Sequence, residues 1–283
     1  MKILVTGTNG QVGHALMQEL TEHDLIVLTR QDCDLTNLDQ LRRIIDQHQP
    51  ELIINPAAYT KVDQAEDEPE LAFKINRDAP KVMAEKAREY NIPFIHFSTD
   101  YVFDGEKDDA YNENDQTNPL GVYGRSKLEG EEAIKEVGGF FYIFRTSWVY
   151  SNIGHNFYLT IKNLSQGKNE LRVVGDQYGT PTSNTFIAHQ IKSVIPHLSI
   201  NNVGVYHLVP EGFCSWYDFA RDIIKKTNHE FDLHQLIKIK SLDYPTKAHR
   251  PKNSRLFNKK IKQAFMLEFD SWYSELDRII DET

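Results

Sequence analysis

The sequence predicts an α/β protein built on a doubly wound parallel sheet, with a smaller, partly interleaved C-terminal domain. A short apolar run at Lys2–Thr6 ends in a glycine-rich turn, and a helical pattern follows directly. Apolar runs and helical stretches then alternate as far as Phe144, whereas the pattern beyond Val149 is irregular. Because such alternation forms right-handed βαβ units, it predicts parallel strands covered by helices on both faces of the sheet.

Each predicted element follows from its own pattern. Strands are predicted where apolar residues form short continuous runs, and helices where they recur every three or four positions. The predicted strands are Lys2–Thr6, Leu25–Leu28, Leu52–Ile54, Pro93–Phe97 and Phe140–Phe144. The predicted helices are Gln11–Glu22, Leu38–Gln47, a long segment ending at Tyr90, Gly121–Glu136, Trp216–Lys226 and one at the C-terminus.

The chain divides into two predicted regions. Residues 1–150 are expected to form the sheet domain, which also receives a strand and a helix from about residues 183–210. Residues 151–283 are expected to form mainly the smaller domain, because stretches rich in Gly, Asn, Pro and aromatic residues interrupt its helices.

Composition and charge exclude several classes of protein. Hydrophobic residues make up 40% of the 283 residues and charged residues 26%, an ordinary globular balance. The net charge of -9 argues against a general nucleic-acid binder, although it is compatible with one small basic pocket for a phosphate. The two cysteines, Cys33 and Cys214, are too few for a disulfide framework. Since no apolar run could span a membrane and MKILVTG lacks a signal-peptide pattern, we expect a cytoplasmic protein without a membrane partner.

The most informative motif is the turn GTNGQVG between the first strand and the first helix. Its glycines allow a tight turn, a close approach of backbone N–H groups to a pyrophosphate, and close packing of the helix on the strand. The helix N-terminus adds the positive end of its dipole. This context predicts a Rossmann-type dinucleotide site. The residues expected to bind the cofactor here are Gly7, Asn9, Gly10, Gln11, Val12 and Gly13.

The loop after the second strand indicates which dinucleotide is preferred. An NAD enzyme commonly has a carboxylate here for the ribose 2′-hydroxyl, whereas this chain has Arg30, whose guanidinium suits a 2′-phosphate. NADP, in its reduced form NADPH, is therefore favoured over NAD. The alternative is that Arg30 is simply an exposed cation. Asp34 and Leu35 on the same loop are expected to contribute to the cofactor site.

Tyr123 and Lys127 lie four residues apart at the start of a predicted helix, so their side chains project from one face. An ammonium beside a phenol stabilises the phenolate and lowers the pKa of the tyrosine toward the range of a general acid. The pair gains weight from Ser98-Thr99-Asp100, which we place after the fourth strand, where open α/β sheets bind their ligands.

These motifs together resemble the extended short-chain dehydrogenase/reductase family. The resemblance rests on Gly7-x-x-Gly10-x-x-Gly13, Ala57-Ala58-Tyr59, Asn76, Thr99 and Tyr123-x-x-x-Lys127. More narrowly, GTNGQVG, NPAAYTKVDQAE, STDYVFDG, YGRSKLEGE, RTSWVY, DQYGTPT and RPKNSRL resemble its reductases of dTDP-4-dehydro-L-rhamnose, over most of residues 1–256. The resemblance implies a Rossmann domain with a small C-terminal substrate domain. It also implies NADPH-dependent reduction of the C4 ketone to give dTDP-L-rhamnose.

The resemblance also assigns the catalytic roles. Thr99 would hydrogen-bond the C4 carbonyl of the substrate, Tyr123 would protonate that oxygen, and Lys127 would hold the nicotinamide ribose while tuning Tyr123. Donors placed where negative charge develops assist the transition state more than the ground state. Tyr123 and Lys127 would therefore belong to the cofactor site as well.

Further residues would surround the cofactor and the sugar nucleotide. Ala57, Ala58 and Tyr59 would line the cofactor after the third strand. The expected substrate contacts are Thr60, Val62, Thr99, Asp100, Tyr101, Trp148, Asn156, Gln177, Arg250 and Arg255. Guanidinium groups suit a diphosphate, but the alternative for the two arginines is a solvated basic loop, and for Trp148 a core aromatic.

Two other functions stay open. Nucleotide-sugar 4-epimerases and dehydratases share the scaffold, but related dehydratases typically have Asp and then Glu after the catalytic Thr, and here Tyr101 follows Asp100. A non-catalytic, NADP-binding regulatory subunit is the second alternative. The intact Thr99, Tyr123 and Lys127 argue against it.

Metal binding and oligomeric state are not settled by the sequence. Some members of the resembled family use Mg²⁺ at a carboxylate-rich dimer interface, which also makes a homodimer a candidate assembly. The sequence contains no cluster that we can assign to metal ligands, and its eleven histidines are scattered.

Overall fold

A computed structural model describes residues 1–167 and 170–282. The strands of these residues are β1 (Lys2–Thr6), β2 (Asp24–Leu28), β3 (Leu52–Asn55), β4 (Phe94–Thr99), β5 (Phe141–Thr146), β6 (Val149–Tyr150), β7 (Leu171–Val174), β8 (Tyr178–Gly179), β9 (Thr182–Ser183), β10 (Gly204–His207), β11 (Cys214–Ser215), β12 (Leu236–Ile239) and β13 (Asn253–Ser254). Within the described ranges, six parallel strands form the central sheet in the order β10-β5-β4-β3-β1-β2.

The helices of the same residues connect these strands. They are α1 (Gln11–Glu19), α2 (Leu38–His48), α3 (Val62–Ala65), α4 (Pro69–Phe73), α5 (Ala79–Glu89), α6 (Val122–Val137), α7 (Phe157–Ser165), α8 (Asn184–Val194), α9 (Trp216–Thr227), α10 (Lys259–Phe265) and α11 (Trp272–Asp281). A π-helical turn at Lys74–Asp78 joins α4 to α5, and short 3₁₀ turns occur elsewhere, including Asp100–Val102 directly after β4.

The alternation of side chains along each strand explains why both faces of the sheet are covered. In β1, Ile3 and Val5 point to one face and contribute to a core with residues of α1 and α8. Leu4 points to the other face and contributes to a core with residues of α2, α5 and α6. The predicted doubly wound parallel sheet is therefore confirmed.

The sheet receives one strand from the second half of the chain. Strand β10 pairs in parallel with β5, and α8 packs against α1 on the sheet. A separate core lies between α7, α9, α11 and β7, where Tyr158, Leu171, Phe219 and Leu276 are buried. The division into residues 1–150 and 151–283 stays a prediction.

The long helical segment predicted to end at Tyr90 is present, but it is not one regular α-helix. A short helix, α3, stands apart from it, and α4, the π turn and α5 then follow one another without a gap. Pro69 begins α4 because a proline lacks the N–H that a helix interior requires, whereas the first turn tolerates it. The strand of the fourth run also extends further than predicted, so Ser98 and Thr99 lie within β4 instead of after it.

Helix α6 approaches its neighbours closely, because small residues face them. A Cβ atom on Gly130 would lie 2.1 Å from the carbonyl oxygen of Asn76 in the π turn. A Cβ atom on Gly124 would lie 2.2 Å from the carbonyl oxygen of Tyr101. A larger residue at either position would push α6 away from the sheet.

We expect Gly130→Ala to lower the free energy of unfolding by about 1–3 kcal/mol, because overpacking forces backbone shifts. The measurement is urea denaturation followed by circular dichroism. Arg125→Ala is the control, since Arg125 is exposed on the same helix, and it should change the stability by less than about 0.5 kcal/mol. A Gly130→Ala protein as stable as the control would contradict the tight packing of α6.

Candidate active site

A cleft of about 740 Å³ opens at the carboxyl ends of the central strands. Its walls come from the loops after β1, β2 and β3, from the ends of β4 and β5, from the start of α6, and from the loop after β6. Every residue predicted to bind the cofactor lines this cleft. These residues are Gly7, Asn9, Gly10, Gln11, Val12, Gly13, Arg30, Asp34, Leu35, Ala57, Ala58, Tyr59, Tyr123 and Lys127.

The glycine-rich turn has the local geometry that an anion site needs. Gly7 has φ +59°, a left-handed conformation that glycine adopts without strain. Gly10 is the N-cap of α1, and no side chain caps the N–H groups of the first turn. Those N–H groups therefore face the cleft without an intramolecular side-chain acceptor, and they fit the pyrophosphate of a dinucleotide.

A hydrogen-bonded clamp joins the glycine-rich turn to the loop after β6. The side-chain oxygen Oε1 of Gln11 accepts hydrogen bonds from Ser151 Oγ at 2.7 Å and from Asn156 Nδ2 at 2.9 Å. The loop between them brings Ile153, Gly154 and His155 to the cleft, residues that the sequence analysis did not assign. A glycine-containing polar segment directly after a strand was the available signal, but only the fold places it opposite the turn.

The clamp changes the expected role of Asn156. Its Nδ2 group also donates to the backbone of Ser151, and its Oδ1 atom caps α7 by accepting from the Leu159 N–H at 3.0 Å. The side chain is buried and committed to these bonds. The structure therefore does not bring Asn156 to the cleft as a free substrate ligand.

The loop after β2 forms the other end of the cleft. Arg30 is exposed there, and Asp34 and Leu35 lie beside it. The carboxylate of Asp32 accepts hydrogen bonds from the Thr29 N–H at 2.9 Å and the Thr29 hydroxyl at 2.6 Å, which lower its pKa. Because Asp32 is occupied by its own loop, Arg30 is the group that remains available for the adenosine ribose.

Tyr123 lies at the opposite end of the cleft, beside the Thr99 side chain. Tyr101 packs edge-on against Tyr123 with ring centroids 5.5 Å apart. Burial raises the pKa of Tyr123 to about 12, although the Thr99 hydrogen bond acts in the opposite direction. The expectation that Lys127 lowers the pKa of this tyrosine was wrong for the chain on its own.

Lys127 is buried in the same wall. Its Nζ atom donates to the carbonyl oxygen of Phe97 at 2.6 Å and lies 3.2 Å from His96 Nε2. Burial lowers the pKa of Lys127 to about 7, and the negative charge of Glu131 opposes this effect. The ammonium thus lies at the cleft with its stem enclosed by protein.

Asn76 ties the cofactor wall to helix α6. Its Oδ1 atom accepts from the Tyr59 N–H at 2.8 Å, and its Nδ2 group donates to the Tyr59 carbonyl at 3.1 Å and to Ser126 Oγ at 2.9 Å. These bonds fix the loop after β3 relative to the helix that carries Tyr123. In this structure the amide is therefore a link between the loop after β3 and helix α6.

Asp100 lies below Thr99 and is buried. It accepts a hydrogen bond from Thr99 Oγ1 at 3.0 Å, while its Oδ2 atom has no hydrogen-bond partner among the described residues. Burial raises the pKa of Asp100 to about 6, against the hydrogen bonds from Ser254 and Thr99. Asp100 therefore orients Thr99, whose hydroxyl lies between the carboxylate and Tyr123.

The remaining predicted substrate residues are spread around the cleft. Thr60 lines it, and Val62 begins α3 at its rim. Trp148 has φ +48°, a rare conformation for an aromatic residue, and its indole stacks on Trp216 with ring centroids 3.5 Å apart. Such strain at a non-glycine residue is typical of functional positions.

The polar residues of the second region make intramolecular bonds in this structure. Gln177 donates to Ser241 Oγ at 3.1 Å, and Arg250 donates to Asp63 Oδ2 at 3.0 Å. Arg255 donates to Asn253 Oδ1 at 2.8 Å and lies over the ring of Phe213. The structure therefore does not bring the two arginines together at one anion site.

Metal and membrane features were searched in the part of the chain that the structure describes. Within residues 1–167 and 170–282, the His, Cys, Asp and Glu side chains form no group of three or more that could hold a metal ion. None of the helices in these ranges combines the length and apolar composition that a bilayer crossing requires.

Comparison with known proteins gives matches along the full chain. The model of the RmlD substrate-binding-domain family matches residues 1–283. The dTDP-4-dehydrorhamnose reductase of Sinorhizobium fredii is 39% identical, over 99% of this chain and 97% of that protein. A crystal structure of a dTDP-4-dehydrorhamnose reductase from Clostridium acetobutylicum superposes with a TM-score of 0.94 at 38% identity, covering 100% of this chain and 99% of that one. The Bacillus anthracis reductase in complex with NADP gives a TM-score of 0.93 at 34% identity, with 100% of both chains covered.

We expect Gln11→Met to weaken NADP binding about fivefold to tenfold, because the substitution removes two hydrogen-bond acceptor contacts from the clamp. Isothermal titration calorimetry with NADP measures the affinity, and hydrogen exchange should become faster in residues 151–156. Gln18→Met is the matched control, since Gln18 lies exposed on the same helix. Equal affinities and equal exchange in the two variants would show that the clamp does not support the site.

Proposed function

The chain belongs to the RmlD substrate-binding-domain family, and on this basis we propose that it reduces the C4 ketone of dTDP-4-dehydro-L-rhamnose to dTDP-L-rhamnose with NADPH. The observation that carries the proposal is that Tyr123 and Lys127 line one end of a cleft whose other end suits a dinucleotide, with Thr99 beside Tyr123. The chain is an NADP-dependent oxidoreductase of the Rossmann type. Its substrate is a nucleotide sugar.

We propose that Tyr123 is the general acid of the reaction. NADPH, when bound, supplies the hydride to C4 of the sugar. Tyr123 then donates its proton to the C4 oxygen, and Thr99 turns its single hydroxyl proton from Asp100 to the same atom. A raised pKa keeps Tyr123 protonated at neutral pH, which is the state that an acid needs. Since an alkoxide is far more basic than a phenolate, the phenol still transfers its proton readily.

The cofactor would lie along the cleft in a defined direction. The N–H groups at the start of α1 would bind the pyrophosphate, Arg30 would bind the 2′-phosphate, and Lys127 would hold the nicotinamide ribose. The uncapped first turn of α1 and the occupied carboxylate of Asp32 support this orientation.

The substrate would enter from the side of the second region. We propose that Thr60, Val62, Tyr101 and Trp148 surround the sugar, with Asp100 orienting Thr99. Gln177, Arg250 and Arg255 stay candidates for the nucleotide and diphosphate. Each arginine has N–H groups beyond the hydrogen bonds given above, and Arg250 Nε has no partner among the described residues. Asn156 is proposed only as support for the cofactor clamp.

The cytoplasm as compartment, a homodimer as assembly, and the absence of nucleic-acid and membrane partners belong to this proposal. The two free cysteines support the cytoplasm as compartment. The acidic net charge supports the exclusion of nucleic acid. A division into a cofactor domain at residues 1–150 and a substrate domain at residues 151–283 is part of the same proposal.

The function is tested by following NADPH absorbance with the purified protein and dTDP-4-dehydro-L-rhamnose. Stoichiometric oxidation of NADPH with formation of dTDP-L-rhamnose supports the reductase. Turnover of the sugar without net oxidation of NADPH would identify an epimerase, and loss of water from a dTDP-hexose would identify a dehydratase. Cofactor binding without turnover of any of these sugars would identify a regulatory subunit.

Tyr123→Phe should lower kcat by about a hundredfold or more, because the variant retains the ring but has no proton to donate. The affinity for NADPH should change less than about threefold, as measured by calorimetry. Tyr90→Phe is the matched control, since the Tyr90 hydroxyl binds Asp46 at the surface and this variant should keep full activity. Retained turnover in Tyr123→Phe would remove Tyr123 from the mechanism.

Arg30→Ala should raise the KM for NADPH about tenfold to a hundredfold and leave the KM for NADH nearly unchanged, because only NADPH has the 2′-phosphate. The two KM values are measured with the same sugar substrate. Arg43→Ala, an exposed arginine of α2, is the control and should alter neither value. An equal rise in the KM values for NADPH and NADH would show that Arg30 does not bind the 2′-phosphate.

A further inference from the structure

A chain of buried polar groups runs from the centre of the sheet to the catalytic lysine. Thr6 Oγ1 lies 2.5 Å from the side-chain amide of Asn55, the same amide lies 3.0 Å from His96 Nδ1, and His96 Nε2 lies 3.2 Å from Lys127 Nζ. The exposed fraction of the His96 side chain is 0%, and that of Lys127 is 2%. The chain therefore crosses β1, β3 and β4 out of contact with solvent.

The two ring nitrogens of His96 cannot be treated independently. Burial, followed by the charge of Lys127, lowers the pKa of His96 well below its usual value, so the imidazole is neutral. A neutral imidazole carries one proton, and the nitrogen without it is an acceptor. The nitrogen that faces Lys127 thus either accepts from an ammonium or donates to a neutral amine.

The geometry around Lys127 favours the ammonium. The distance of 2.6 Å from Nζ to the Phe97 carbonyl oxygen is at the short end of the range, which is typical of a charged donor. A buried ammonium needs an acceptor for each N–H, and Phe97 supplies only one. His96 Nε2 is the second acceptor within hydrogen-bond distance, and the third N–H is left to face the cleft.

We infer that His96 is a positioning residue for the proposed reductase reaction: it carries its proton on Nδ1 and accepts a hydrogen bond from the Lys127 ammonium through Nε2. For this tautomer the Asn55 side chain presents its amide oxygen to the Nδ1–H group and its amide nitrogen to Thr6 Oγ1, which accepts. Because Phe97 and His96 accept two of its N–H groups, the Lys127 ammonium stays charged inside the protein. Its third N–H group then points toward the ribose and Tyr123. This inference rests on the proposed function only for its kinetic readout.

Charged and titratable groups surround this pair on every side. Tyr123 and Glu131 face it from α6, Arg145 lies on the neighbouring strand β5, and Asp100 follows β4. Strand β3 contributes only the neutral Asn55. The pKa of Asp100 is raised to about 6 and that of Tyr123 to about 12, so a limb of the pH profile between these values belongs to Lys127.

The test compares two substitutions that each keep one half of the ring's contacts. His96→Gln places a carboxamide oxygen near the position of Nε2 and can still accept from Lys127. His96→Asn keeps a polar group near Nδ1 but loses the acceptor, so the charged form of Lys127 is less stable and its pKa should fall by about one unit. The kcat/KM for the sugar, with NADPH saturating, is measured against pH for both variants and the wild type.

We expect the alkaline limb of His96→Asn to move about one pH unit lower, which lowers kcat/KM about tenfold above the limb and about twofold below it. His96→Gln should keep the limb within about 0.3 units. A His96→Asn profile that falls equally at all pH values, or keeps its limb, would overturn the inference and leave His96 a packing residue.

A measurement on the wild type needs neither substrate nor a folded variant. In the protein labelled with ¹⁵N at histidine, the His96 signals should show a protonated Nδ1 and an unprotonated Nε2. The His96→Gln spectrum assigns these signals by their loss, and correlation to Lys127 assigns them if the variant does not fold. A proton on Nε2 would overturn the inference. If the wild type shows this tautomer but does not oxidise NADPH with the sugar, the proposed function fails while the His96–Lys127 contact stands.

Discussion

The buried ion pair between Glu131 and Arg145 is the interaction on which the geometry of the site depends. Arg145 on β5 donates to both carboxylate oxygens of Glu131 on α6, at 2.8 and 2.6 Å, and both side chains are almost fully buried. Burial works to raise the pKa of Glu131, but the charge and hydrogen bonds of Arg145, with smaller contributions from Ser98 and Lys135, together lower it. Removing one partner of such a pair costs about 3–5 kcal/mol, because the other charge is left uncompensated.

The pair matters because α6 carries Tyr123 and Lys127 and contacts β4, β5 and the helices that follow β3. Glu131 lies one helical turn after Lys127, so the anchor fixes the turn that presents the lysine. Gly124 and Gly130 allow the helix to approach the Tyr101 and Asn76 backbones. Through Asn76 the same helix is bonded to the loop after β3, and the position of Tyr123 is thereby set relative to the cofactor wall.

The cofactor half of the site could be predicted because its signals are local. A strand, a glycine-rich turn and a helix follow one another within a few residues, and so do the groups after β2 and β3. The clamp was beyond such reasoning, since Gln11 and Asn156 are 145 positions apart. For the same reason the sequence did not predict the bond between Asp63 and Arg250, which are 187 positions apart. This bond engages an arginine that the sequence analysis assigned to a diphosphate.

Local pattern also fails where tertiary contacts override it. The apolar spacing predicted a long helical segment ending at Tyr90, but Pro69 begins a new helix within this part of the chain and Asn76 lies in a π turn. The π turn places this amide beside Tyr59, where it satisfies both backbone groups of that residue. Whether a polar side chain is buried and hydrogen-bonded depends on the three-dimensional structure, and the spacing of apolar residues along a helix does not predict it.

Burial shifts the two main reactive groups in opposite directions, and the surrounding charges decide the outcome. It raises the pKa of Tyr123 and lowers that of Lys127, so it favours the neutral form of both. For the phenol the neutral form is the acid, and burial alone prepares it. For the lysine the neutral form has lost the charge that attracts a ribose hydroxyl and a developing oxyanion. Because Arg145 already balances Glu131, a protonated Lys127 adds a positive charge beside the place that we propose for the C4 oxygen, where negative charge would develop.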